Sequence, residues 1–307
     1  MRLVFFGTSE FACPALCALD SQYGIELAVT QPDRPAGRHA NLHPSAVKQV
    51  ALERGLTLIQ PNNINEPQAV EIIRDISPDV IVVASYGQLL KVGVFDLPRL
   101  GTINIHASLL PAYRGAAPVN WAIMNGETET GISTFYIEKG LDTGDILMME
   151  SLDIGSDETA AELENRLAVM GADVILKTLA SLESGSLQAT PQPGQGISLA
   201  PSLTREDGHI DWSQSATRIH DLVRGTIPWP GAWSQLETHR VKIHRTRVTD
   251  FASGVLEPGE IGPAQTNQLL VGTEDRLLEI IELQREGKSR ISGQDFLHGL
   301  RLPASFN

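Results

Sequence analysis

Short apolar runs alternate with amphipathic stretches through the first third of the chain. Leu3–Phe6 is an apolar run that breaks at Gly7-Thr-Ser9, and apolar positions then recur at helical spacing from Phe11 to Leu19. Glu26–Thr30 predicts a second strand, Ser45–Arg54 a second helix, and Val80–Ala84 a strand without a polar position. A strand apolar on both faces is covered on both faces, as in a parallel sheet flanked by helices. The alternation therefore predicts an α/β fold, with a Rossmann-like, mostly parallel sheet, helices on both faces, and ligands at the carboxyl ends of the strands. The turn after the first strand lacks the Gly-x-Gly-x-x-Gly spacing, so no dinucleotide is expected.

Further on, Thr159 and Glu162 form a capping-box pair ahead of a helix with Leu163, Leu167, Met170 and Val174 on one face, closed by Gly185. Gln188–Pro201 is rich in Gln, Pro, Gly and Ser and loses the periodicity. It is read as a linker over 188–205, between a first domain at 1–187 and a second at 206–307. The second domain opens with a helix near Ser213–Arg224. Strand-like runs follow at Arg240–Val248, Gln268–Val271 and Leu277–Leu283, separated by Gly and Pro clusters at the spacing of a small β-barrel. Trp212, Trp229 and Trp233 are read as barrel packing.

Candidate chemistry sits at Gly101–Pro118. Ile103 and Ile105 alternate with Asn104 and His106, so an amide and an imidazole share one strand face while the isoleucines pack behind. Alone, that pair is better explained by half-buried polar residues at a strand end. Gly140-Leu-Asp-Thr-Gly144 adds a tight-turn composition that can aim Asp142 inward. Asn104, His106 and Asp142 together are parts for acyl-type transfer. A hydrolase built on Ser108, His106 and Asp142 is disfavoured, because Ser108 precedes Leu-Leu-Pro and no Gly-x-Ser-x-Gly elbow is present.

Asn104-x-His106, Ser108-Leu-Leu-Pro111, Arg114-Gly-Ala-Ala-Pro118 and Gly140-Leu-Asp-Thr-Gly144 closely resemble the folate-dependent formyltransferases. The likeness extends to Pro32-Asp-Arg-Pro-Ala-Gly-Arg38, Ile210-Asp-Trp212, Pro228-Trp-Pro-Gly-Ala232 and Ile291–Phe296, nearly the whole chain. It implies transfer of a formyl group from N10 of the co-substrate 10-formyltetrahydrofolate to the α-amine of methionine on initiator tRNA, without a metal. By the same resemblance, Asn104 and His106 would donate to the developing oxyanion, and Asp142 would stabilise protonated His106 and serve as base. Ser108, Leu109, Leu110 and Pro111 would lie along the folate, and Val82–Ala84 with Tyr86 and Gly87 would accept the pterin. The long Pro-rich loop Gln31–Pro44 would meet the tRNA acceptor end through Arg38, although His39-Ala-Asn-Leu42 stands where relatives often carry further basic residues. Arg114 would shape the acceptor side, and the second domain would be an OB-like barrel.

The charge balance changes this picture in one respect. Across 307 residues, 24 Lys and Arg face 37 Asp and Glu, a net charge of −13. Such a chain is no generic nucleic-acid binder, and any RNA must be held by a local basic patch. Arg240, Lys242 and His244 alternate onto one strand face with Arg245 and Arg247 behind, which makes Arg240, Lys242 and Arg245 candidate tRNA contacts. A solvated strand face explains the same pattern. His39 and His43 have helical metal-ligand spacing, but a Pro-flanked loop would not hold it, and no metal is expected. Cys13 and Cys17 lie four apart on a helix, consistent with packing in a reducing cytosol. No membrane-spanning run or signal peptide is visible, so a cytoplasmic monomer is expected. Sugar-nucleotide formyltransferases, formylfolate hydrolases and glycinamide ribonucleotide formyltransferases remain as rivals, as does a catalytically silent RNA-binding barrel.

Overall fold

Phe5, Phe6, Ile81 and Ile103 are wholly buried and mark three adjacent strands of a seven-stranded sheet. In this computed structural model, which describes residues 1–36, 41–254, 256–262, 267–299 and 304–307, the strands are β1 (Leu3–Gly7), β2 (Leu27–Val29), β3 (Leu58–Ile59), β4 (Val80–Ala84), β5 (Thr102–His106), β6 (Glu129–Tyr136) and β7 (Ile146–Asp153). Their order is β7-β6-β5-β4-β1-β2-β3. Pairing is parallel from β5 through β4, β1 and β2 to β3, and β6 joins β5 antiparallel. Every residue of β1 and β4 is buried, as their unbroken apolar composition requires.

Helices α1 (Cys13–Tyr23), α2 (Ala46–Glu53) and α3 (Pro67–Ile76) alternate with the parallel strands. The hydroxyl of Ser45 caps α2 by accepting the Lys48 N–H at 3.0 Å. Helix α3 starts on Pro67 and packs Ala69, Val70 and Ile73 against Val4, Phe6, Ile81 and Val83. The long helix α4 (Ala160–Glu183) begins with the anticipated capping box: the Thr159 N–H donates to Glu162 Oε2 at 2.9 Å and the Glu162 N–H to Thr159 Oγ1 at 3.3 Å. Thr178 of α4 hydrogen-bonds Thr134 of β6, which is registered beside Ile105. Asn104 is registered beside Val83, on the face that α3 packs against. The isoleucines of β5 and its polar residues therefore serve opposite sides of the sheet.

Backbone contacts divide the chain into two compact units. One comprises Met1–Pro118, Glu129–Leu152 and Glu164–Ala200; the other comprises Val119–Thr128, Asp153–Leu163 and Pro201–Asn307. Residues 190–200, within the stretch read above as a linker, hydrogen-bond into the first unit. Thr190 bridges Ile146, and Leu199–Ala200 pairs in parallel with Arg114–Gly115. Low hydrophobic periodicity reports the absence of an amphipathic face, but it does not report these backbone bonds.

In the second unit, α5 (Ala216–Gly225) packs on an antiparallel sheet of β8 (Ala232–Leu236), β9 (His239–Ala252), β10 (Leu269–Gly272), β11 (Arg276–Arg285) and β12 (Ile291–Ser292). The order is β8-β9-β11-β10, with β12 on β11. Residues 304–307 bridge from Leu236 on one edge to Glu260, and Ile261 bridges on to Val271, so backbone bonds connect the two edges. Trp212 stacks on Phe306 with ring centroids 5.4 Å apart, and Trp233 is buried. Trp229 departs from the packing role expected of it: held in a turn between Pro228 and Pro230, outside any strand, it is 52% exposed. A buried Arg224–Asp221 pair at 2.8 Å also ties α5 to residues 153–163, because Arg224 donates to the carbonyls of Gly155 and Glu158. Among the described residues no helix is long and apolar enough to cross a membrane.

Candidate active site

His106 ends β5 with its ring buried, and its Nε2 lies 2.9 Å from the Tyr113 carbonyl oxygen. A carbonyl only accepts, so Nε2 carries the proton and Nδ1 is the free nitrogen of the neutral ring. Asp142 Oδ2 lies 3.8 Å from that Nδ1 and accepts the Gly115 N–H at 2.8 Å. Burial pushes the His106 pKa below its ordinary value near 6.5; the Asp142 carboxylate and the Tyr113 carbonyl oppose that shift. The ring is thus neutral, with its Nε2 proton on the Tyr113 carbonyl and Nδ1 facing Asp142.

Asp142 reaches this position from a turn whose backbone few L-residues adopt, with φ at +51°. The flanking glycine is needed here, because a Cβ on Gly144 would collide with the Tyr136 carbonyl oxygen. Gly144→Ala is therefore expected to displace the turn, cutting activity at least about tenfold, with a stability loss of about 1–3 kcal/mol. Steady-state kinetics and thermal melting would check both. Asn104, two residues before His106 on the same strand face, is only partly buried, and its side-chain amide makes no hydrogen bond to any described residue.

The remaining expected positions behave differently from one another. Ser108 is fully buried and its hydroxyl donates to the Ala112 carbonyl at 2.6 Å, while its own carbonyl accepts from Ser133. It shapes the loop and is not presented to the His106 ring as a nucleophile. Leu110 is buried with Phe135 and Ile146, whereas Leu109 and Pro111 are partly exposed. Tyr86 turns its ring into the core, 5.2 Å from Phe6. The Tyr86 carbonyl is held by Thr8 Oγ1 and Gln31 Nε2, each at 2.8 Å. Its buried hydroxyl has no partner among the described residues, and burial raises its pKa. Gly87 is exposed at φ +83°, where a Cβ would meet the Gln31 amide.

Arg114 is partly buried and donates through Nε and Nη2 to Gln192 Oε1, at 3.1 and 2.6 Å. Gln192 lies in a stretch without periodicity, so its sequence neighbourhood carries no sign of these hydrogen bonds. Arg38 and His39 lie outside the described residues. Within the long Pro-rich loop, Arg34–Ala36 pairs antiparallel with Asn41–His43.

On β9, Val241 and Ile243 point into the core while Arg240, Lys242 and His244 point out. The pairing register slips on either side of Arg245. This irregularity resets the alternation: Thr246 is buried, and Arg245 and Arg247 are exposed with the earlier cations. Arg240 stacks over Trp233 at 4.0 Å, and Arg247 pairs with Glu279 at 3.4 Å.

At the end of a mostly parallel sheet, an amide that no described residue hydrogen-bonds shares a strand face with a buried imidazole 3.8 Å from a carboxylate, an arrangement suited to group transfer. The chain belongs to the formyl transferase family: residues 1–179 match the formyl transferase model and residues 202–301 match its C-terminal domain. It is 46% identical over 303 residues to the methionyl-tRNA formyltransferase of Geobacter metallireducens, covering 98% of this chain and 96% of the relative. To that of Ruminiclostridium cellulolyticum it is 42% identical over 304 residues, covering 98% and 97%. Among solved structures, the sugar 3N-formyl transferase WlaRD shares the fold at TM-score 0.69 and 17% identity, covering 94% of this chain and 99% of that one. HypX from Aquifex aeolicus, solved in complex with tetrahydrofolic acid, shares it at TM-score 0.63 and 19% identity; the match covers 97% of this chain and 47% of HypX.

Proposed function

We propose that the chain transfers the formyl group of 10-formyltetrahydrofolate to the α-amine of methionine esterified to initiator tRNA, giving N-formylmethionyl-tRNA. The observation that carries this reading is the Asn104 amide, without a hydrogen-bond partner among the described residues, on the strand face where His106 Nδ1 lies 3.8 Å from Asp142. Full-length relatives named for this reaction support the choice of acceptor.

The residues present fit the folate co-substrate. The backbone at Ser85 and Gly87 is exposed and has positive φ, Leu89 beside it is 72% exposed, and no described residue takes up the Asn104 donor. When bound, the co-substrate supplies the formyl carbon and N10 as leaving nitrogen. Asn104 then donates to the formyl oxygen as negative charge builds there, a contact worth about 3 kcal/mol in comparable sites. His106 Nδ1 accepts the proton that the attacking amine must lose, and the Asp142 carboxylate stabilises the imidazolium. The Gly115 N–H keeps that carboxylate aimed at the ring.

The tRNA is held by Arg38 at the acceptor end and by Arg240, Lys242 and Arg245 on the outward face of β9, with Arg114 on the acceptor side of the catalytic site. The enzyme works in the cytoplasm as a monomer. Incubation with formylfolate and either methionyl-tRNA or an amino-sugar nucleotide tests the acceptor; formylation of the sugar alone would overturn this reading. Arg38→Ala is expected to raise the KM for tRNA without altering folate binding. Lys242→Ala combined with Arg245→Ala should weaken tRNA binding and flatten its dependence on log salt by about two counterions. Filter binding across a salt series checks the second expectation.

A further inference from the structure

The geometry points to Gln192 as a positioning residue for the reaction, one that holds the Asp142 carboxylate at His106. The inference rests on the formyl-transfer reading for its kinetics. Gln192 Nε2 donates to the carbonyls of Asp142 at 2.8 Å and Gly144 at 2.9 Å, while Oε1 receives Nε and Nη2 of Arg114. Both amide hydrogens and both acceptor positions are therefore used. The orientation of the amide is also fixed by chemistry: a guanidinium only donates and a carbonyl only accepts, so the opposite flip would lose all four bonds.

These bonds fall on the turn where restraint matters most. Asp142 sits at φ +51°, a backbone conformation that a non-glycine residue keeps only when its surroundings impose it. Two carbonyls of that turn are gripped by one side chain, and the Asp142 carboxylate is gripped from the other side by the Gly115 N–H. Arg114 and Gly115 are consecutive, so the Arg114–Gln192 contact also binds the strand that supplies this N–H. Gln192 thus closes a ring of contacts through Arg114, Gly115, Asp142 and back to itself. No other described side chain bonds both carbonyls of the turn. Glutamate in its place would keep the acceptors for Arg114 but lose both donors, and it would set a carboxylate oxygen against two carbonyls.

Gln192→Ala and Gln192→Glu test this. Both are expected to lower kcat at least about tenfold, with the KM for formylfolate within about twofold of wild type. Gln192→Glu should be no better than alanine, despite a stronger pairing with Arg114. In substrate-free protein, NMR titration of His106 should move to lower pH in both variants, because a displaced Asp142 no longer favours the imidazolium. Kcat within threefold of wild type in both variants, an unmoved His106 titration, or wild-type turnover in Gln192→Glu would overturn the inference. So would lost turnover accompanied by collapse of the melting transition, which would make Gln192 merely structural. If wild-type protein failed to formylate methionyl-tRNA, the functional reading would fall, while the His106 titration would still decide the role of Gln192.

Discussion

Asn104→Ala is expected to reduce kcat about 100- to 1,000-fold while leaving the KM for formylfolate within about threefold of wild type. The asymmetry follows from where charge resides. In the ground state the formyl oxygen is a weak acceptor, and water competes well for it. As the amine adds, that oxygen takes on negative charge in a site from which water is displaced, and a fixed donor gains strength. Among the described residues none hydrogen-bonds the Asn104 side chain. Its removal therefore strands no partner, and the melting temperature should change little. Asn104→Asp is the sharper comparison, because it keeps the shape and replaces the donor with an acceptor that repels the oxyanion. It should be at least as damaging as alanine. Parallel losses in turnover and folate affinity would instead mean that the amide binds co-substrate throughout the reaction cycle.

The parts of the fold that could be read from the sequence are those fixed by local rules. Continuous apolar runs placed β1 and β4, and Ser45 and the Thr159–Glu162 pair marked the starts of α2 and α4, because burial on two faces and capping need only adjacent residues. Helix α3, which packs Ala69, Val70, Ile73 and Ile76 on the core, and strands β6 and β7 carry neither an unbroken apolar run nor a capping pair. Strand periodicity placed Asn104 and His106 on one face, and the glycines around Asp142 identified its turn. What could not be read depends on partners distant in sequence. Tyr113 sets the His106 tautomer through a backbone carbonyl, and a carbonyl has no residue identity to notice. Gln192 acts across a separation of 50 residues on a turn that its own neighbourhood says nothing about. The slip around Arg245 is likewise a property of pairing with β11, so composition could show the cations on β9 but not that all of them end on one face.

Asp142→Asn should separate the two roles given to the carboxylate. At neutral pH the buried His106 ring is uncharged, with its pKa depressed by burial and partly restored by Asp142. With His106 as the proposed base, kcat/KM is expected to fall on the acid side as Nδ1 takes up a proton, with this limb below the ordinary histidine value of 6.5. Replacing the carboxylate with an amide removes the interaction that raises the pKa. The acid limb must then move to lower pH, while the plateau drops by about 100-fold or more, because the imidazolium formed during the reaction loses its counter-charge. Stability follows the same sign. A ring kept neutral in the folded state but free to protonate when unfolded makes folding less favourable as pH falls below about 6.5, and the asparagine variant should lose stability over a wider acidic range than wild type. A pH–rate series with parallel melts at each pH would measure both effects. If the limb moved to higher pH, or stayed in place while the plateau fell, Asp142 would act on the substrate directly and His106 would not be the base.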